Sequence, residues 1–344
     1  MKNKKDALVT LDKFIEESLY NKNYGYYMKK NPFGEKGDFI TAPNISLLFS
    51  EMIAIWTISF WEKLNCPKQF NLVELGAGNG EMMKVLIRTF NQFPKFKNAC
   101  RINILEKSKL LQRTQKANIK DKKITWLNNL NELNNFPCIF IANEFFDALP
   151  IKQFLKKENK WYERYVKFIH DKNLEYSDIP FDMKKFEKEI KFNISYKQKF
   201  IEYSPLAAKY LKTIINKITL NNGGILIIDY AYLEQEMKNT LQAVSKHKYC
   251  DILKSFRNSD ITYNLSFNLI KKIVKKSGPC SFLSTTQKKF LTKLGILERA
   301  EILSKNMPFS KKADIYFRIK RLIDETQMGH LFKVMFITNH KNKF

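Results

Sequence analysis

The stretch Phe70–Gly80, F-N-L-V-E-L-G-A-G-N-G, decides the fold. An apolar run, Phe70–Leu75, breaks into Gly76, Gly78 and Gly80 at every second position, and a helix-like segment, Glu81–Phe90, follows at once. A short apolar run, a glycine turn and a helix make the opening unit of a doubly wound α/β domain. The chain has only 11 glycines in 344 residues. Three of them fall in this turn, which therefore needs glycine for its geometry: glycine takes positive φ and lets a ligand approach the main chain.

Outward from this turn the pattern continues as βαβ. Apolar runs predict strands at 70–75, 101–106, 123–127, 138–143, 224–230 and 331–338, with helices at 80–90, 107–117, 204–218 and 265–277. This alternation predicts a doubly wound, mostly parallel sheet with covered faces, its last strand antiparallel or inserted. Residues 6–22 read as a helix, with Leu8, Leu11, Phe14, Ile15 and Leu19 at helical spacing. Residues 24–44 form a loop with Gly25, Gly34, Gly37 and two prolines, either a functional lid or a surface excursion pinned by its aromatics. A helix is expected at 46–64. We expect an N-terminal helical and lid region at 1–66, then a Rossmann-like domain at 67–344 with insertions near 151–200 and 231–264. Within the first insertion, 154–157 and 161–168 read as strands around E-N-K.

Composition narrows the class. A hydrophobic fraction of 44% describes a globular chain. The five cysteines are scattered without C-x-x-C, which argues against a disulfide framework or a zinc cluster, and no metal site is expected. The net charge of +26 invites nucleic acid as a partner, but it rests on 52 lysines against eight arginines, a bias that fills solvated faces everywhere. No basic-aromatic stripe or base-reading motif accompanies it, so nucleic acid is not the expected partner. Asp6, Asp12, Glu16 and Glu17 interrupt the first 20 residues, so no secretory signal is expected there, and they argue against a transit peptide. The longest uncharged run, 52–61, is too short to span a bilayer. The expected location is the bacterial cytoplasm, or the mitochondrial matrix in a eukaryote.

Two cofactors compete for the glycine turn. A dinucleotide turn reads G-x-G-x-x-G and seats a pyrophosphate on the helix N-terminus. Here the third position of that pattern is Glu81, whose carboxylate would meet the pyrophosphate. The actual series, Glu74 to Gly80, is E-x-G-x-G-x-G, with Ala77 between the first two glycines. It resembles the first motif of class I S-adenosylmethionine-dependent methyltransferases, whose ligand carries a positive sulfonium and no phosphate. Glu106, at the end of the second strand, is placed to accept hydrogen bonds from a ribose diol, or is a solvated charge at a strand end. The stretch 141–150, I-A-N-E-F-F-D-A-L-P, follows another buried strand. Asn143, Glu144 and Asp147 beside two phenylalanines could bind a guanidinium, which pairs with carboxylates and stacks on rings. They could equally cap a helix.

Nearly the whole chain resembles the MidA family. The resemblance rests on G-Y-Y followed by F-G-E-K-G-D-F-I-T-A-P-N-I-S, on V-E-L-G-A-G-N-G and on A-N-E-F-F-D-A-L-P. It continues through I-E-Y-S-P-L-A, G-G-I-L-I-I-D-Y, D-I-T, T-Q-K-K-F-L-T-K-L-G-I and M-G-H-L-F-K-V. The resemblance implies S-adenosyl-L-methionine as donor and a protein arginine as acceptor, on a complex I iron–sulfur subunit whose assembly is supported. It leaves room for a homodimer. It assigns Glu144, Asp147 and Asn143 to catalysis, and Gly37, Asp38, Thr41, Glu74, Gly76, Ala77, Gly78, Gly80, Glu106 and Asn143 to the cofactor. Asn44 and Asn264 depart from the family pattern, which has glutamate and often histidine there. A non-catalytic cofactor-binding assembly factor and an RNA methyltransferase are the alternatives. Against RNA, Asn143 opens N-E-F-F and not the N-P-P-Y-type tetrapeptide of base-methylating enzymes.

Overall fold

The structure, a computed structural model, describes residues 7–34, 41–121, 123–169 and 173–342. Its contacts divide the chain into two units. One holds Asn31–Phe145, Thr213–Ala231 and Gly278–Phe344; the other holds Met1–Lys30, Phe146–Lys212 and Tyr232–Ser277. This grouping differs from the sequence-based boundaries, because residues 7–30 go with the insertions while residues 41–66 go with the glycine turn.

The first unit is built on seven strands. They are β1 (Phe70–Leu75), β2 (Cys100–Leu105), β3 (Thr125–Leu127), β4 (Cys138–Asn143), β5 (Gly223–Tyr232), β6 (Cys280–Thr286) and β7 (Phe332–Asn339). Their order is β6-β7-β5-β4-β1-β2-β3. β1 pairs in parallel with β2 and β4, as do β2 with β3 and β4 with β5. β7 runs antiparallel to both β5 and β6, so the last strand is both antiparallel and inserted. β1 and β4 are buried along their whole length, as a parallel strand covered on both faces must be. The helices Leu47–Lys63 and Glu81–Phe90 supply the apolar side chains that cover one face. Because β2 and β4 flank β1 on opposite sides, the chain reverses direction across the sheet at β1. The crevice where such sheets bind ligands therefore lies at the C-terminal ends of β1 and β4. β6, C-S-F-L-S-T-T, escaped the sequence reading because its apolar content is low; it is an edge strand.

The second unit carries an antiparallel sheet of Ala7–Thr10, Lys152–Lys157, Lys160–Ile169, Asn173–Pro180 and Phe200–Tyr203. The strands expected at 154–157 and 161–168 form a hairpin whose turn residues, Glu158 and Asn159, both have positive φ, as the tight primed turns require. The helix expected at 6–22 is shorter than predicted, Leu11–Tyr20. Ala7–Thr10 instead pairs antiparallel with Tyr165–Phe168, where backbone pairing outweighs the helical spacing of Leu8, which is exposed. Among the described residues no helix is long and apolar enough to cross a membrane.

Ile227 lies fully buried on β5, between Ala142 of β4 and Met335 of β7. Ile227→Ala should cost about 2–5 kcal/mol, the usual range for such a truncation, read from denaturant unfolding.

Candidate active site

The sheet brings most of the expected site residues together. Thr41, Glu74, Gly76, Ala77, Gly78, Asn143 and Glu144 line one pocket at the ends of β1 and β4, joined by Phe33, Asn44 and Asn79. Glu106 follows β2. Gly80 stands at the N-terminus of the helix Glu81–Phe90 with φ of 85°. Gly37 and Asp38 lie outside the described residues. Asp147 belongs to the second unit, where it is buried and its carbonyl accepts from Tyr263 N at 3.2 Å. Its charge reaches the buried Tyr27 phenol, which donates to Asp260 Oδ1 at 2.7 Å.

The glycine turn is shaped for close approach. Gly76 has φ of +67°, and a Cβ there would lie 2.8 Å from Phe145 Cδ2, so neither the backbone nor the space admits a side chain. Beneath the turn, Glu74 is 2% exposed, and among the described residues its Oε2 has no hydrogen-bond partner. Burial, and then the negative charge of Glu106, raises its carboxyl to about 8. Glu106 is half-buried and its carboxyl is pushed up to about 7 by desolvation, against hydrogen bonds that favour its charged form. Those bonds come from Ser108 N at 2.8 Å and Gln115 Nε2 at 3.1 Å.

At the end of β4, Glu144 takes φ of 49°, a left-handed conformation that costs a non-glycine residue of order 1–3 kcal/mol. Its N–H donates to Ile228 O at 2.9 Å, and its Oε1 accepts from Ala42 N at 3.3 Å and Asn143 Nδ2 at 3.2 Å. Asn143 Oδ1 is buried without a partner among the described residues. No helix follows: residues 144–150 are bends and turns, so Asn143 is not a helix cap. Both residues line the pocket instead.

Sequence reasoning missed a belt of amides around the turn. Asn44 donates to Thr41 Oγ1 at 2.7 Å and accepts from Asn79 Nδ2 at 2.9 Å, so this departure from the family pattern braces the turn against the preceding segment. Asn118 donates to Asn79 O at 2.8 Å, and Gln115 donates to Gly78 O at 2.9 Å. One signal was in the sequence: Gln115 falls between Leu111 and Ile119 at helical spacing, on the buried face of Lys109–Ile119. The other departure, Asn264, lies in the second unit, and its N–H donates to Thr240 Oγ1 at 2.9 Å.

The carboxylates at this pocket, the glycine turn and the strand order point one way. Residues 52–286 match the Methyltransf_28 family, described as S-adenosyl-L-methionine-dependent methyltransferases. The chain belongs to this family. The MidA resemblance read from the sequence is thus borne out. The enzyme is 29% identical to the Xenopus tropicalis protein named protein arginine methyltransferase NDUFAF7, mitochondrial, covering 94% of this chain and 81% of that one. It is 27% identical to the Homo sapiens protein of the same name, covering 97% and 80%. Its fold matches a crystal structure from Burkholderia thailandensis bound to S-adenosyl-homocysteine, with a TM-score of 0.80 and 22% identity over 96% of this chain and 88% of that one.

The residues fit the cofactor that the family uses. Glu74 Oε2 and Asn143 Oδ1 are buried acceptors without a partner among the described residues, free to take a donor or a positive charge. Among the described residues the pocket lining contains Glu74 and Glu144 and no lysine, arginine or histidine, although the chain carries a net charge of +26. A sulfonium ligand suits that balance and a pyrophosphate does not. Among the described residues no group of three or more His, Cys, Asp or Glu could hold a metal ion.

The raised Glu74 carboxyl has a consequence for stability. The folded protein keeps a proton that the unfolded chain releases above the ordinary value of 4.5. Stability of the ligand-free protein should therefore fall as pH rises from about 4.5 to about 8. Each unit of displacement corresponds to about 1.4 kcal/mol. Glu74→Gln should flatten this slope in unfolding curves taken across that range.

Proposed function

We propose that this methyltransferase transfers a methyl group to an arginine side chain of a protein, on a respiratory complex I subunit as the MidA resemblance implies. One observation carries the reading: a pocket in which, among the described residues, the ionisable lining groups are carboxylates, in a strongly basic chain. Both ligands that such a reaction brings together, a sulfonium and a guanidinium, are cations. The names of the relatives, protein arginine methyltransferase, support the same acceptor.

Bound S-adenosyl-L-methionine supplies an electrophilic methyl on a good leaving group. The protein's task is then alignment and handling of the acceptor's charge. Glu106 would accept hydrogen bonds from the ribose hydroxyls, and the turn Gly76–Gly80 would pass beneath the ligand. Thr41 would close the pocket from the preceding segment, with Gly37 and Asp38 beside it in sequence. Arginine is charged at neutral pH and is a poor nucleophile. Glu144, held at its Oε1 by Ala42 N and Asn143 Nδ2, would pair with the guanidinium and draw positive charge away from the attacking nitrogen. Asp147 would be the second carboxylate on the acceptor, and one of the two would take up the released proton. The strain at Glu144 supports a functional role, since such conformations persist where the surroundings enforce them. An RNA acceptor gains no support from the pocket, whose lining among the described residues holds no cation to meet a phosphate.

Glu144→Ala and Asp147→Ala should each lower methyl transfer by about 10²-fold or more, the size of a general acid–base contribution. Binding of S-adenosyl-homocysteine should stay measurable by calorimetry. Mass spectrometry of complex I subunits from cells carrying either variant should lose an arginine methylation present with the unsubstituted protein. Full activity in a variant removes that residue from the mechanism; an unchanged methylation pattern removes complex I as the target.

A further inference from the structure

Gln115 is fully buried, and its one amide makes three directed hydrogen bonds. Nε2 donates to Gly78 O at 2.9 Å and to Glu106 Oε2 at 3.1 Å, while Oε1 accepts from Trp126 Nε1 at 2.9 Å. An indole N–H can only donate, so the bond from β3 fixes which way the amide faces. Both Nε2 hydrogens then point at the cofactor site, one at the glycine turn and one at the carboxylate after β2. The backbone is equally close: a Cβ on Gly80 would lie 3.3 Å from Gln115 Cα. Nothing in the methyl-transfer chemistry itself calls for an amide there.

We propose that Gln115 is the positioning residue of the cofactor site, locking the carbonyl of the glycine turn to the carboxylate that receives the ribose. This rests on the reading of Glu106 as ribose acceptor and is independent of the methyl acceptor. By donating to Glu106, Gln115 aims one carboxylate oxygen and favours the charged form, the stronger acceptor. The same hydrogen bond pattern holds Gly78 at a fixed distance from Glu106, so the two parts of the ligand-binding edge move together.

The groups facing Glu106 are few. The N–H groups of Ser108 and Lys107 come from its own loop, Gln115 from the helix, and the Glu74 carboxylate from β1. The Gln112 side chain binds the Glu106 carbonyl at 2.6 Å and also accepts from Lys109 Nζ at 3.3 Å. The Lys116 ammonium lies 4.9 Å from the Trp126 ring centroid. With Glu106 raised to about 7, cofactor affinity should rise with pH through neutrality. Loss of the Gln115 donor removes a bond that lowers this value, and so moves the midpoint upward.

The test is calorimetric titration of the full chain with S-adenosyl-homocysteine from about pH 5.5 to about pH 9. Gln115→Glu keeps the acceptor for Trp126, loses both donors and adds a like charge. It should bind about fivefold more weakly at pH 7, with a midpoint about one unit higher, and the deficit should close toward pH 9. Gln115→Met, the second variant should the first not fold, loses the donors without the added charge and should move the midpoint in the same direction by less. In a Glu106→Gln background neither substitution should move a midpoint. An unmoved midpoint, a deficit equal at every pH, or a shift that persists without the Glu106 carboxyl overturns the proposal. Absence of binding by the unsubstituted protein overturns the cofactor site and the role of Gln115 with it. Normal binding by Gln115→Glu overturns Gln115 alone.

Discussion

Glu74 and Glu106 stand at the ends of neighbouring parallel strands, and the cost of burying them, with the charge of Glu106 added at Glu74, governs what surrounds the glycine turn. Two carboxyls raised to about 8 and about 7 are poised to gain from any positive or hydrogen-bond-donating ligand. Among the described residues the lining of the pocket that holds Glu74 contains no lysine, arginine or histidine to relieve it. Relief is therefore left to a ligand, and a protein that holds this arrangement in its ligand-free state does so at some expense in stability. The same constraint explains the belt of amides: Asn44, Asn79, Gln115 and Asn118 brace the turn with neutral groups, which hold it without cancelling the negative potential.

The sheet makes that arrangement possible. Parallel pairing of β1 with β2 and β4 puts Glu74, Glu106 and Glu144 at or just beyond the C-terminal ends of adjacent strands. The chain reversal at β1 opens the crevice between them. The antiparallel, inserted β7 pairs with β5 on the other side of the sheet, where Ile227 and its neighbours are fully buried. The insertions and the N-terminal residues build a separate antiparallel sheet, and Asp147 belongs to that unit.

Much of this was legible in the sequence. Buried parallel strands read as continuous apolar runs, so β1, β4 and β5 were found nearly to the residue. The spacing of Gly76, Gly78 and Gly80 gave the cofactor class because a carboxylate at Glu81 conflicts with pyrophosphate. What stayed hidden lacked local pattern. β6 is an edge strand with few apolar residues. Ala7–Thr10 pairs with residues some 158 positions away, and its Leu8 imitates the spacing of the helix that follows. The helix-cap reading of Asn143 failed because the chain turns, under strain at Glu144, and does not wind. The amide belt was hidden because asparagine and glutamine are ordinary surface residues; only the position of Gln115 between Leu111 and Ile119 marks it as buried.

The central claim is that an acidic pocket on this sheet brings a sulfonium donor to a guanidinium acceptor. Its most direct test is incubation of the protein with methyl-labelled S-adenosyl-L-methionine and, separately, with the proteins and the RNA of one cell extract, followed by hydrolysis and identification of the labelled product. The account predicts label in methylated arginine from the protein fraction. Label in RNA, or no transfer despite measurable cofactor binding, would contradict it.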